Sequence, residues 1–419
     1  MSRFCLRQAN VLDSAGEFSG PLDVVVEDGI VTAVRADAPT DAPSYDASGL
    51  FLLPGVFDCH DHLTMSTADA LEALSTPLSQ GVLEAARNAR LTLEAGVTFV
   101  RDLGGLDRGV RDAIARGYVP GPRIQTSVVM LSPTGGHGDG FLAGAGLELS
   151  PLSLDYPGRP PIVVDGVEAM RRAVRELLRA GADWIKLATT GGLVSDFDQP
   201  LVAEFTPDEI AVAVSEARRR SRPVAAHAYG GDGLTNAVEA GARSIEHGGF
   251  LTEEQAALMA ERGCWLVPTL AAMRDCLRFA QEGSFSPAQC EKVLSLGLEV
   301  GACVRIAKEY GVRLASGTDY ITRRQHGRNL EELALMREAG LTPAEALLAA
   351  TSGGAELCGV DDTYGRIAPG YVFDALVLDD DPGDLSCFHE PGVVRGVFKQ
   401  GLAVVRHPRL DAGVLGEVG

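Results

Sequence analysis

The stretch Pro54-Gly55-Val56-Phe57-Asp58-Cys59-His60-Asp61-His62 decides how this chain is read. The apolar run before it, residues 50–53, reads as a buried strand, and with 54–57 as one strand from 50 to 57. Two histidines follow, one residue apart. On a strand, side chains i and i+2 share a face. His60 and His62 therefore present two imidazoles to one point, which is how a strand end offers a metal two nitrogens. The bland alternative is a pair of structural histidines, and the rest of the chain bears on that choice.

Working outward, the middle of the chain alternates strand and helix. Apolar strands are expected at 50–57, 97–101, 123–130, 184–188, 223–226, 244–246, 265–269 and 312–316. Helical periodicity separates most of them, at 82–95, 167–180, 206–220, 234–240, 253–261, 287–310 and 330–339. Eight strands spaced in this way predict a distorted (β/α)8 TIM barrel, an α/β fold. No Gly-x-Gly-x-x-Gly follows the first strand, which weakens a doubly wound nucleotide-binding sheet. The two ends read differently. A hairpin is expected at 22–34, a linker at 38–49, and helix-free strands at 374–378, 392–398 and 401–405. Both ends together suggest a small β-sandwich. The expected domains are a discontinuous one, 1–52 with 366–419, and the barrel, 53–365.

Composition narrows the function classes. The 419 residues are 46% hydrophobic and 22% charged, ordinary for a globular protein. Net charge is −20, which argues against nucleic acid and anionic membranes as partners. Eight scattered cysteines without a Cys-x-x-Cys read as reduced thiols, and the polar N-terminal residues do not read as a signal peptide. A cytoplasmic protein is expected.

Chemistry in a (β/α)8 barrel sits at the C-terminal ends of the strands. Strand 1 ends in His60 and His62. Strand 4 carries Lys186 inside Trp184-Ile-Lys-Leu187, strand 5 ends in His227, strand 6 in His247, and strand 8 in Asp319. Each alone has a plain structural reading, as a packed histidine, a capping aspartate or a paired lysine. All of them falling on strand ends together favours a metal site.

The motifs Asp58-Cys-His-Asp-His62, Val100-Arg-Asp-Leu-Gly104, Gly135-Gly-His-Gly-Asp139, Ile185-Lys-Leu-Ala188, His227-Ala-Tyr229, Ile245-Glu-His-Gly248 and Gly317-Thr-Asp319 resemble the amidohydrolase superfamily over essentially the whole chain. Their texture is similar to its prolidase-like and imidazolonepropionase-like branch. The resemblance implies two divalent metals, zinc being the expected ion, with manganese, iron or cobalt compatible. It implies that His60, His62 and Asp319 hold one metal, that His227 and His247 hold the other, and that Lys186, carboxylated by CO2 to a carbamate, bridges them. It implies a metal-bridging hydroxide as nucleophile and Asp319 as the group that carries its proton to the leaving amine.

By the same resemblance His137 and Tyr229 contact the substrate at its carbonyl oxygen or C-terminal carboxylate. Arg323, Arg324 and His326 put positive charge near the mouth, suited to a carboxylate, although a solvated loop is the simpler reading. The Gly- and Pro-rich segment 133–161 has the length of a lid. The implied activity is hydrolysis of a dipeptide or N-acyl amino acid, as in an Xaa-Pro dipeptidase (prolidase) or carboxypeptidase. Cyclic-amide, lactone or ester hydrolysis is the alternative, and a metal-free scaffold the non-enzyme one. A deaminase is disfavoured, because Gly230 stands where that branch places a glutamate. A homo-oligomer is expected.

Overall fold

Gly55 is where the chain changes sheets. The computed structural model describes residues 3–410 except 68, 143, 145, 149–155, 157 and 196–197. The run 50–57 is two strands rather than the one expected. Phe51–Pro54 joins a sheet made by the two ends of the chain, and Val56–Asp61 starts the alternating middle. A Cβ on Gly55 would lie 2.0 Å from Thr98 Oγ1, so the crossing point admits no side chain.

The terminal sheet takes its first strands from β1 (Arg3–Leu12), β2 (Phe18–Glu27), β3 (Ile30–Arg35), β4 (Ser44–Asp46) and β5 (Phe51–Pro54). Its order is β18-β17-β16-β5-β1-β2-β3, with β4 on β1. The last three in sequence are β16 (Ala375–Leu378), β17 (Val394–Lys399) and β18 (Leu402–Val405). The β2–β3 hairpin falls where expected, and the segment read as linker contains β4. Phe4, Phe373 and Phe398 pack together beneath this sheet.

The middle forms two parallel arcs. One is β6 (Val56–Asp61), β7 (Val97–Asp102) and β8 (Arg123–Thr126). The other is β9 (Met130–Leu131), β12 (Ile185–Ala188), β13 (Val224–Ala228), β14 (Ser244–His247) and β15 (Trp265–Val267). A small hairpin, β10 (Phe141–Leu142) with β11 (Leu147–Glu148), stands apart. Strands β6, β7, β12, β13, β14 and β15 are buried at every residue, so they read as apolar runs and not as alternating patterns.

At one seam the single strand expected at 123–130 is broken into β8 and β9 at Val128, whose φ is +68°. At the other seam lies 312–316, which makes one parallel bridge, Leu314 to Leu266. Its Ser316 carbonyl accepts from Cys59 N (2.8 Å), but the Ser316 amide donates to Ala349 O (3.2 Å) in the helical segment behind it. That diversion is why this stretch is not a regular strand. Among the described residues no continuous ladder joins the two arcs.

Helices cover the arcs: α1 (Ala70–Ser75), α2 (Leu78–Glu94), α3 (Arg108–Ala115), α4 (Val167–Ala180), α5 (Pro207–Arg218), α6 (Gly231–Ala240), α7 (Glu253–Arg262), α8 (Leu270–Gln281) and α9 (Pro287–Ser295). Local chemistry sets their ends. Thr206 and Glu209 close a capping box at α5 with Pro207 in the first turn, and Thr252 and Gln255 do so at α7. The helix expected over 287–310 is two helices, α9 and α10 (Ala302–Glu309), the second entered through Gly301 at φ +92°. The lid expected at 133–161 lies partly outside the described residues. Toward the N-terminal ends of the strands Phe57, Phe99, Trp184 and Trp265 belong to one buried cluster, which leaves the opposite ends for chemistry.

Candidate metal centre

The C-terminal ends of β6, β12, β13 and β14, with the turn after 312–316, bring six side chains together. His62 Nε2 lies 3.1 Å and His60 Nε2 3.4 Å from Asp319 Oδ1. The ligand-capable atoms of these three all lie within 4.8 Å of one another. His247 Nδ1 is 4.0 Å from Asp319 Oδ2, and His247 Nε2 is 2.8 Å from His227 Nδ1. The His60 and His247 rings are 5.1 Å apart. Lys186 is buried, and among the described residues its Nζ has no hydrogen-bond partner. His247 and Asp319 sit in the left-handed region, at φ +75° and +55°. Such strained backbone clusters at functional sites.

Outer hydrogen bonds decide which nitrogen each ring turns inward. His62 Nδ1–H donates to Gly104 O (2.8 Å), and His227 Nε2–H donates to Gly191 O (3.2 Å). Carbonyls only accept, so in the neutral rings His62 Nε2 and His227 Nδ1 are the lone pairs. His60 Nδ1 is 2.9 Å from Glu246 Oε2. The buried Arg101 guanidinium holds both oxygens of Glu246, at 2.9 and 3.0 Å, and lies 4.4 Å over the Trp184 ring. Thr269 Oγ1 lies 2.7 Å from His247 Nδ1 and satisfies that nitrogen as donor or acceptor, which turns Nε2 toward His227 Nδ1. Such outer partners fix ring orientation in metal sites.

The electrostatics agree with neutral imidazoles for three of the four rings; burial lowers His62 too, but the Asp319 carboxylate beside it outweighs burial and holds it above its ordinary value. Burial pushes His60, His227 and His247 well below the usual histidine range, and neighbouring positive groups push the same way. Burial raises the Asp319 carboxyl, but His60, His62 and Lys186 outweigh it and hold it below its ordinary value. Burial lowers the Lys186 amine from 10.5 to about 8.

This donor set fits divalent cations. Inward lone pairs on several imidazoles and one carboxylate suit zinc or a related metal. The orphaned Lys186 Nζ is the informative misfit: a buried ammonium without a partner is costly. As a carbamate it would be an anionic two-oxygen ligand.

Around this set, His137 stacks on His227 at 4.2 Å and 22°, with Nδ1 3.0 Å from Asp198 Oδ2. Tyr229 stacks on His247 at 4.9 Å and 7°. Among the described residues its hydroxyl has no hydrogen-bond partner, and burial raises it well above the usual tyrosine range. The arginine loop stands differently. Arg323 pairs with Glu72 (2.8 Å) and Glu84 (3.3 Å), Arg324 is exposed, and His326 is buried with Nε2 on Met65 O.

Sequence reasoning named no supporting role for Arg101, Glu246, Thr269, Asp198 or Glu204. For Arg101 and Glu246 a signal was present: each is a charge inside a strand buried at every residue.

Comparisons with known proteins follow the same line. Residues 51–404 match the family described as "Amidohydrolase family". The chain is 36% identical to an ochratoxinase of Aspergillus niger over 362 residues, 84% of this chain and 75% of that protein. A prolidase crystallised with N-methylphosphonate-L-proline superimposes with a TM-score of 0.88 at 33% identity, covering 97% of this chain and 100% of the other. A Xaa-Pro dipeptidase with methionine bound in its active site gives 0.86 at 29% identity, covering 96% and 99%.

Proposed function

The chain belongs to the amidohydrolase family and is a hydrolase of C–N bonds, and from that premise we propose that it cleaves the amide bond of dipeptides or N-acyl amino acids with a free carboxylate. The observation that carries this is the buried Lys186 amine, without a partner among the described residues, beside the inward-facing histidine nitrogens. The solved prolidase with a proline analogue supports the substrate class. We read the two arcs as one eight-stranded barrel (53–365), with the terminal strands (1–52 and 366–419) as a separate sandwich, and we expect a homo-oligomer.

His60, His62 and Asp319 would hold one cation and His227 and His247 the other, with Lys186 as a carbamate shared between them and zinc as the metal. When bound, the cations supply Lewis acidity to the scissile carbonyl and lower the pKa of water at the site. The remaining work falls to side chains. Asp319 is the set's most open member, its side chain 20% exposed, and it takes the proton from the attacking water and returns it to the leaving amine. Tyr229, kept protonated, donates its hydroxyl to the substrate carboxylate. His137 donates Nε2–H to the carbonyl oxygen. Arg323 is occupied by two glutamates and His326 by a carbonyl, so within that loop Arg324 is the member left for a carboxylate.

The test is release of free amino acid from a library of dipeptides and N-acyl amino acids, with zinc and bicarbonate supplied. Release that depends on the C-terminal residue supports the reading. Bound metal with no release across the library overturns the substrate class and directs the search to cyclic amides, lactones and esters. Protein that purifies and stays without metal is a scaffold.

A further inference from the structure

We propose that Lys292 and Asp198 are positioning residues for His137, forming a relay that runs from α9 into the site. The proposal rests on the reading of His137 as a substrate contact.

Asp198 is the hub. Its side chain is 5% exposed. Oδ2 accepts from His137 Nδ1 (3.0 Å) and from the Gly192 amide (2.8 Å). Oδ1 accepts from Lys292 Nζ (2.8 Å) and from the Ser195 hydroxyl. Lys292 Nζ also donates to Asp198 O (2.8 Å) and Ser195 O (3.0 Å). An ammonium has three donors, and all three are spent on this one loop. A lysine whose task was solubility would not be used in this way. One turn earlier on α9, Gln289 Nε2 donates to Val194 O (2.7 Å). Two side chains at i and i+3 share a helix face, so α9 holds Val194, Ser195 and Asp198 from two points.

The far end of the relay is as closely fitted. His137 is wedged between Asp198 and the His227 ring. Its backbone amide donates to Glu204 Oε1 (2.6 Å). A Cβ on Gly192 would fall 2.0 Å from His137 Cε1, so the loop backbone itself is the wall behind the ring. A carboxylate on Nδ1 accepts a proton there and aims Nε2 toward substrate. Lys292 holds the carboxylate in that place. The relay ties the segment after β15 to the ring that meets the scissile carbonyl, so α9 controls the aim of His137.

The competing account is a staple that merely orders the loop. Lys292→Met and Asp198→Asn, each made alone and in a His137→Gln background, separate the two. Positioning predicts a kcat loss of about 10- to 100-fold, the scale of a small misplacement of a reacting group. KM should change little and zinc content not at all. In the His137→Gln background the further loss should fall below about twofold, because the group being aimed is gone. Equal losses in both backgrounds overturn the relay.

A readout free of turnover is 15N-histidine NMR of the zinc-loaded protein, with the His137 signals assigned by their disappearance in His137→Gln. Wild type should show a hydrogen-bonded proton on Nδ1, and Lys292→Met should weaken or abolish that Nδ1–H···Asp198 bond. An unchanged spectrum overturns the proposal. If wild type releases no amino acid from any amide, the substrate reading fails by itself, and the NMR comparison still decides the relay.

Discussion

Replacing Lys186 by methionine should make the metal-free protein more stable and the metal-loaded protein less so relative to wild type. Lys186 is buried, with no partner for Nζ among the described residues. Its amine is pushed from 10.5 to about 8, and at ~1.36 kcal/mol per unit the charged form costs the folded state about 3 kcal/mol. A lowered lysine pKa disfavours the protonated fold, so the whole cost applies below about pH 8. It fades as pH rises toward the unfolded value near 10.5. Methionine keeps the length and removes the charge. In chelator at pH 7, urea unfolding should therefore show the variant more stable by about 2–3 kcal/mol, a gap that closes by about pH 10.5. Zinc with bicarbonate reverses the order: a ligand at about 1,000 times its Kd stabilises wild type by ~4.1 kcal/mol, more than the apo gap, and the variant should gain much less. A variant no more stable than wild type in chelator refutes the unpaired ammonium. Equal stabilisation of both proteins by zinc refutes Lys186 as a ligand.

Three further outcomes follow from the outer contacts. Glu246→Gln weakens the acceptor on His60 Nδ1 and should cost about 10- to 100-fold in zinc affinity, read by competition with a chromogenic chelator; unchanged affinity would show that Arg101 and Glu246 serve packing alone. Gly192→Ala, whose Cβ overlaps His137, should leave zinc content intact while lowering kcat/KM by about 100-fold, measured on the best library substrate. Tyr229→Phe should raise KM by about tenfold, near 1.4 kcal/mol, for substrates with a free carboxylate, and leave the corresponding C-terminal amides unaffected; a uniform effect on both would place the hydroxyl elsewhere in the reaction.

What was legible in the sequence follows from how each signal is encoded. Fully buried strands leave apolar runs, and a polar residue closing such a run stands out, so His60, His62, Lys186, His227, His247 and Asp319 could be picked out singly and then found adjacent. The change of sheet at Gly55 left no such mark, because 50–57 is apolar on both sides of it. The break at Val128 and the diversion of the Ser316 amide depend on partners far away in sequence. Lys292 lies 94 residues from Asp198, and on its own helix it looks like any other surface lysine. The arginine loop shows the converse: its charge was obvious, but the glutamates that occupy Arg323 come from α1 and α2.

The shared terminal sheet bears on the order of events during synthesis. Strand β5 pairs on one side with β1 and on the other with β16, so β1–β5 leave the ribosome with one sheet edge open. That edge stays open until the whole alternating middle has been translated, on the order of half a minute at typical elongation rates. An uncovered apolar edge is a template for pairing with other nascent chains. Production at low temperature or with added chaperones should raise soluble yield, and chains truncated before β16 should aggregate even though they carry all six residues of the candidate metal centre.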